Sequence, residues 1–244
     1  MRISVAADRQ ALGREAARLG GTAIREAIAT RGGATIVLAT GASQFEMLEA
    51  LCQRTDIDWP RVTVFHLDEY IDLPEVHPAS FRRYLRERFL AHVAGLRAFH
   101  PIDGNAVDLA AEVRRLNGLI EGLAIDVVFA GIGENGHLAF NDPPADFVAA
   151  DGFTVVTLDA ACRRQQLGEG WFPALEAVPQ RAISMTIRQI MRGQLVVLSV
   201  SGERKAVAVR DAVKGAVTPL CPGSILQQHP NCHLFLDPPA AEHL

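Results

Sequence analysis

The sequence predicts an α/β protein: an open, mostly parallel β-sheet with helices on both faces, in three layers. Three observations lead there. Short β-rich runs alternate with longer helical patterns along nearly all 244 residues. Several strand runs are apolar at consecutive positions, as in strands covered on both faces. A hydrophobic content of 49% beside 21% charged residues supplies a proper core at this length. Alternation of this kind is the pattern of a Rossmann-like sheet.

In chain order, Met1-Arg2 leads straight into a strand over 3–6, followed by a helix over 9–30. A strand over 35–39 ends in Thr40-Gly41-Ala42-Ser43, small residues at the start of a helix over 44–54. The strand over 62–67 runs into Asp68-Glu69-Tyr70, and helices over 78–92 and 107–122 follow. The apolar run 125–130 enters a turn from Gly131 to Pro143 that carries three glycines and His137. Strands over 153–158, 182–185 and 195–200 come next, the last ending in Ser201-Gly202-Glu203-Arg204-Lys205. A helix over 203–213, a helix over 224–229 and a strand over 233–236 close the chain. No linker tract and no internal repeat interrupts this order, so residues 1–244 read as a single domain.

Bulk properties exclude several classes. A net charge of -4 offers no basic footprint for nucleic acid. Cys52, Cys162, Cys221 and Cys232 lie far apart without a Cys-x-x-Cys pair, which fits a reduced, cytoplasmic protein better than a disulfide framework. There is no signal-peptide pattern and no apolar stretch long enough to cross a bilayer, so no membrane partner is expected. Homo-oligomerisation is left open.

Ligands in open α/β sheets bind beyond the carboxyl ends of the strands. Four such ends carry polar or glycine-rich clusters here, and all four could open onto one crevice. Thr40 to Ser43 would leave backbone N–H groups free at a helix start, which attracts anions, although Ser43 as a plain cap explains it equally well. Lys205 falls in a first helical turn, where the dipole disfavours a cation unless it reaches a bound phosphate. Asp68-Glu69 follows the strand over 62–67, where a carboxylate suits a general base, and a helix-capping or turn acid is the plainer alternative. His137 is the side chain best suited to moving protons near neutral pH. Arg163 and Arg164, before the Gly168/Gly170 pair and Trp171-Phe172, are candidates for gripping an anion, with a solvated helix end as the alternative.

Two further readings fail. Gly131-Ile132-Gly133-Glu134-Asn135-Gly136 matches the dinucleotide fingerprint, but that motif needs a helix next, and Pro143-Pro144 follow too soon. The eight histidines show no metal-ligand spacing, so no metal is expected.

Taken together, these segments resemble the glucosamine-6-phosphate deaminase (isomerase) family over nearly the whole chain. The matching pieces are Leu38 to Ser43, Phe65 to Tyr70 with Leu73-Pro74, and His77 to Phe81. They continue with Asp103-Gly104-Asn105-Ala106, the Gly131-to-Pro143 turn and the stretch from Cys221 to Pro230. The resemblance implies a cofactor-free reaction on an amino-sugar 6-phosphate, in which glucosamine 6-phosphate and water yield fructose 6-phosphate and ammonia. It implies ring opening by His137, oriented by Asn135 and Asp142, and proton transfer between C2 and C1 by Asp68. The phosphate would sit on Thr40, Gly41, Ala42 and Ser43 with Lys205 opposite.

The chain departs from the family pattern in several places. Asn135 stands where many members have aspartate, and Asp142 replaces a glutamate longer by one methylene, so its reach toward His137 has to come from the backbone. Ala42 stands where a second glycine is common. The family's phosphate-binding arginine falls at Gly168, leaving Arg163 or Arg164 as substitutes. The basic pair used for allosteric activation in some members aligns with Thr154 and Val156, so no such regulation is expected. Alternatives of a different kind are a 6-phosphogluconolactonase-type hydrolase, whose pattern Tyr70 and Phe140-Asn141 disfavour, and a non-catalytic sugar-phosphate-binding module.

Overall fold

The computed structural model describes residues 1–244. Its first half runs β1 (Arg2–Val5), α1 (Arg9–Arg31), β2 (Ala34–Leu38), α2 (Phe45–Cys52), β3 (Val62–His66), β4 (Asp68–Tyr70), α3 (Phe81–Leu85), β5 (Ala98–His100) and α4 (Leu109–Ile120). The second half runs β6 (Val127–Ala130), β7 (Phe153–Thr157), α5 (Ala160–Gly168), β8 (Arg181–Met185), α6 (Ile187–Ile190), β9 (Leu195–Val200), α7 (Ala206–Lys214) and β10 (Cys232–Leu236).

Seven strands form one parallel sheet in the order β1-β10-β9-β6-β2-β3-β5. Side chains alternate between its faces with period two. Ile36, Leu38, Val64, Phe129 and Val197 enter a core shared with Leu12, Ile24 and Leu48 of α1 and α2. Val37, Phe65, Val128 and Leu198 enter a second core with Leu116 of α4, Ile190 of α6 and Val209 of α7. Burial on both faces is the three-layer arrangement that the consecutive apolar runs predict.

Side-chain caps set several helix starts. Asp8 accepts from the Ala11 N–H at 2.7 Å and Asp108 from Ala111 at 2.9 Å. These caps account for the good match of α1 and α4 to their predicted spans. Predicted helix 78–92 begins only at Phe81, behind the Ser80 cap, and ends in a π-helical turn over Arg86–Leu90. Predicted helix 224–229 is a 3₁₀ segment, Pro222–Gln228.

One topological expectation needs correcting. The predicted strands over 153–158 and 182–185 exist, but they leave the parallel sheet and pair antiparallel with β4 in a separate sheet, β4-β8-β7. A short apolar run marks a strand without naming its partner. Leu67 is the joint between the two sheets. Its N–H donates to Leu38 of β2 at 3.1 Å, while its carbonyl accepts from Met185 of β8 at 2.7 Å.

From β2 the chain builds outward through β3 to β5, then returns through α4 to place β6 on the other side of β2. The reversal opens a crevice beyond the carboxyl ends of β2 and β6, where open α/β sheets bind ligands.

Candidate active site

A cavity of about 280 Å³ fills this crevice. Thr40 to Ser43 line it beyond β2, Asp68 lines it from β4, and Gly131 to Glu134 and His137 line it beyond β6. Ser201 to Lys205 enter from the end of β9. The four strand-end clusters thus meet on one cavity.

Asp68 and Glu69 are adjacent carboxylates on opposite sides of β4, and their surroundings differ completely. Glu69 is fully buried and accepts five hydrogen bonds, from the N–H groups of Tyr70, Phe81 and Arg82, the Ser80 hydroxyl and the Arg82 Nε. It pins the start of α3. Asp68 is also buried, yet no protein donor approaches its carboxylate, and burial with the nearby Glu69 charge pushes it up to about 8. A carboxyl held near neutral pH beside a cavity suits proton transfer.

His137 lies at the mouth of the glycine-rich turn. Its ring packs against Gly133 so closely that a Cβ there would fall 2.3 Å from Nε2. Its Nδ1 is 3.1 Å from Oδ1 of Asp142. Asn135 fastens this pair: its Oδ1 accepts from the His137 N–H at 3.1 Å, and its Nδ2 donates to Asp142 Oδ1 at 3.0 Å. The short aspartate reaches the imidazole because the turn doubles back through Ala139, which adopts a left-handed φ of 51°. Asn141 holds that turn on β8 through bonds to the carbonyls of Leu138 and Met185 at 2.7 and 2.8 Å.

The turn from Thr40 to Ser43 brings free backbone donors to the cavity. Gly41 takes φ 105°, a conformation that side chains disfavour. Its carbonyl accepts from the Tyr84 hydroxyl at 3.0 Å, and that of Ala42 accepts from Arg9 Nη2 at 2.9 Å. The N–H groups of Gly41, Ala42 and Ser43 are left without protein acceptors. Lys205 ends a 3₁₀ turn ahead of α7, and burial holds its ammonium below the ordinary lysine value, against the pull of Glu134 and Glu169.

The two arginines singled out in the sequence do not join this cavity. Arg163 is consumed by the carbonyls of Leu175 and Val178, at 2.5 and 3.0 Å from Nη2, and Arg164 points to solvent. Both belong to α5, a helix that the polar run Arg163 to Gln166 concealed. Instead the cavity has Arg9 and Arg204, which sequence reasoning missed. Arg204 Nη1 lies 3.1 Å from where a Cβ on Gly168 would be, so its guanidinium fills the space that the missing side chain leaves. Gln165, Gln166 and Glu169 of the same region also line the cavity. Phe172 is buried against Tyr70, with ring centroids 5.7 Å apart, while Trp171 stays at the surface.

His137, Asp142 and Cys162 bring an imidazole nitrogen, a carboxylate oxygen and a thiol sulfur within 4.8 Å of one another. No sequence spacing announced this grouping. Asp142 is already occupied by Asn135, His137 and the Asp159 N–H at 2.9 Å. Burial and the Asp142 charge push the Cys162 thiol far above its ordinary value. Asp142 ties the grouping together as the centre of a hydrogen-bonded network.

Comparison with known proteins follows the same line. Glucosamine-6-phosphate deaminases of Exiguobacterium sibiricum and Bacillus thuringiensis strain Al Hakam are 38% and 33% identical to the chain. The first alignment covers 87% of this chain and 82% of the relative, the second 91% and 83%. A solved structure of a monomeric glucosamine-6-phosphate deaminase superposes over the full length of both chains, with TM-score 0.90 and 31% identity. A structure of a putative 6-phosphogluconolactonase from Neisseria gonorrhoeae FA 1090 covers 97% of this chain and 99% of its own with TM-score 0.78, and at 22% identity this likeness shows the fold alone. The model of the family described as glucosamine-6-phosphate isomerases/6-phosphogluconolactonase matches residues 7–234, and the chain belongs to that family.

Proposed function

We propose that the protein converts glucosamine 6-phosphate and water into fructose 6-phosphate and ammonia. The observation that carries this reading is the meeting of Asp68, His137, the Thr40–Ser43 turn and Lys205 on one cavity. The names and 33–38% identity of the curated relatives support the same substrate.

The roles follow from the chemistry. The free N–H groups of Gly41 to Ser43 and the Lys205 ammonium bind the phosphate as an anion at a helix start. His137 moves the O1 proton to the ring oxygen and opens the pyranose, with Asp142 holding the imidazole and Asn135 holding Asp142. Asp68 then removes the C2 proton to give an enolamine and returns it at C1. The resulting C2 imine takes up water and releases ammonia. A carboxyl pushed up to about 8 is a stronger base than an ordinary aspartate once ionised. The substrate ammonium arriving at C2 favours that ionised form.

The test is ammonia release from a panel of hexosamine 6-phosphates beside a 6-phosphogluconolactone hydrolysis control. Ammonia from glucosamine 6-phosphate with no lactone hydrolysis is expected. Lactone hydrolysis without ammonia would replace this reading with the hydrolase one, and binding of the sugar phosphate with neither reaction would leave a non-catalytic module. In solvent deuterium oxide, Asp68→Asn should lose exchange of the substrate C2 proton.

A further inference from the structure

Asp159 lies outside the four strand-end clusters, yet it touches the apparatus around His137. Its backbone N–H donates to Oδ2 of Asp142 at 2.9 Å. Its Oδ1 caps α5 by accepting from the Cys162 N–H at 2.5 Å, and its Oδ2 accepts from Asn135 Nδ2 at 3.3 Å. The Asn135 amide therefore stands between two carboxylates, donating to Asp142 Oδ1 at 3.0 Å and to Asp159 on its other side. An amide NH₂ has two donors, and both are used.

We infer that Asp159 is a positioning residue of the His137–Asp142 pair, acting through Asn135, and that the amide at position 135 is required because this carboxylate faces it. An aspartate at 135 would keep the acceptor for the His137 N–H but lose both donors. Three carboxylates would then stand at hydrogen-bond distance with nothing between them, a like-charge cluster that sheds its charge or moves apart. The other titratable groups facing Asp142 are His137 on the same turn and Cys162 on α5, with Asp68 on β4 beyond Cys162. None of them supplies a second donor to Asp159. The link also ties His137 to the first turn of α5, whose later residues Gln165 and Gln166 wall the cavity.

The inference deepens the deaminase reading and borrows its assay, so the test carries a second readout that needs no reaction. Asp159→Asn keeps the helix cap, since asparagine caps as well as aspartate. In the natural background it should lower kcat several-fold with KM little changed. Asn135→Asp should lower kcat a hundredfold or more. Adding Asp159→Asn to Asn135→Asp should recover at least tenfold, because it removes one of the two repulsions and supplies a donor. The same substitution thus harms in one background and helps in the other. A cap-only role gives equal effects in both, and that result overturns the inference, as does an Asn135→Asp variant as active as its parent.

In substrate-free protein, the NMR signals of the His137 imidazole, which report its orientation and its Nδ1 hydrogen bond to Asp142, should shift in both Asp159→Asn and Asn135→Asp. Unmoved His137 ring signals in Asp159→Asn also overturn it, even if Asn135→Asp does not fold. If the ring signals shift as stated and no variant, nor the parent, releases ammonia, the deaminase reading fails and the positioning role stands.

Discussion

Nδ1 of His137 and Oδ1 of Asp142 are 3.1 Å apart across a turn that passes through a left-handed alanine. The carboxylate fixes the tautomer that leaves Nε2 for the cavity, and the His137 pair holds Asp142 below its ordinary value against the opposing effect of burial. Replacing an orienting carboxylate by its amide leaves the shape but allows the wrong tautomer. Asp142→Asn should therefore lower kcat by about 10²–10⁴-fold, the range seen for such orienting groups, with KM within a few-fold. Steady-state kinetics check this, and a loss confined to KM would remove the dyad from the chemistry.

Asp68 makes a pH prediction whose sign is set by burial. Its carboxyl rises from 3.8 to about 8 in the folded protein. The folded state therefore keeps a proton that the unfolded chain releases above pH 4, and stability from this group falls as pH rises toward 8. Asp68→Asn has no such cost. The gain in Tm of Asp68→Asn over the parent should be near zero at pH 4, grow with pH, and level off above about 8, while turnover is lost. A pH-independent gap would mean that the carboxyl does not titrate there. The kcat/KM of the parent should fall tenfold per unit below about 8, with the acid limb of kcat lying lower because bound substrate ammonium favours the carboxylate.

The parts legible in the sequence and the parts hidden from it divide by distance along the chain. Thr40 to Ser43, Asp68, His137 and Lys205 each follow a strand of the parallel sheet, so the strand pattern and the rule of carboxyl ends bring them together before any contact is known. Only the family resemblance told Asp68 from Glu69, because what separates them physically is five donors from residues 70–82. Arg204 and Arg9 were missed for the same reason. Arg204 matters only because Gly168, 36 positions earlier, leaves room for it. Helix α5 stayed concealed because its buried face is made of Cys162, Gln165 and Gln166 rather than hydrocarbon. Gln166 pays its way there by accepting from the Tyr70 hydroxyl at 2.7 Å.

Lys205 and Arg204 should separate in their response to salt. Lys205 is partly buried and makes no ion pair, whereas Arg204 is exposed and 3.4 Å from Glu134. Lys205→Ala should raise KM for the phosphorylated sugar by about ten- to a hundredfold, equivalent to losing one charge-assisted contact. It should leave the weak binding of unphosphorylated glucosamine unchanged. Arg204→Ala should raise KM only a few-fold, and that effect should vanish at high ionic strength, where exposed charges are screened. Equal losses for both sugars would deny Lys205 a phosphate role.

Gly133 offers the sharpest steric test of where the imidazole must lie. A Cβ on this residue would come within 2.3 to 2.5 Å of three ring atoms of His137. The backbone there needs no left-handed conformation, so alanine is barred by the ring alone. In Gly133→Ala the imidazole must swing away, and its hydrogen bond to Asp142 goes with it. The protein should fold with a Tm within a few degrees of the parent, since the residue borders a cavity rather than the core, while kcat drops by about a hundredfold or more, as displaced catalytic geometry commonly costs. Gly170→Ala is the control. It carries the backbone penalty of φ 84° with no neighbour within 4 Å, so it should cost about 1 kcal/mol of stability and little activity. If Gly133→Ala turned over at the parent rate, His137 would be free to work from another position, and the orientation imposed by Asp142 and Asn135 would lose its meaning.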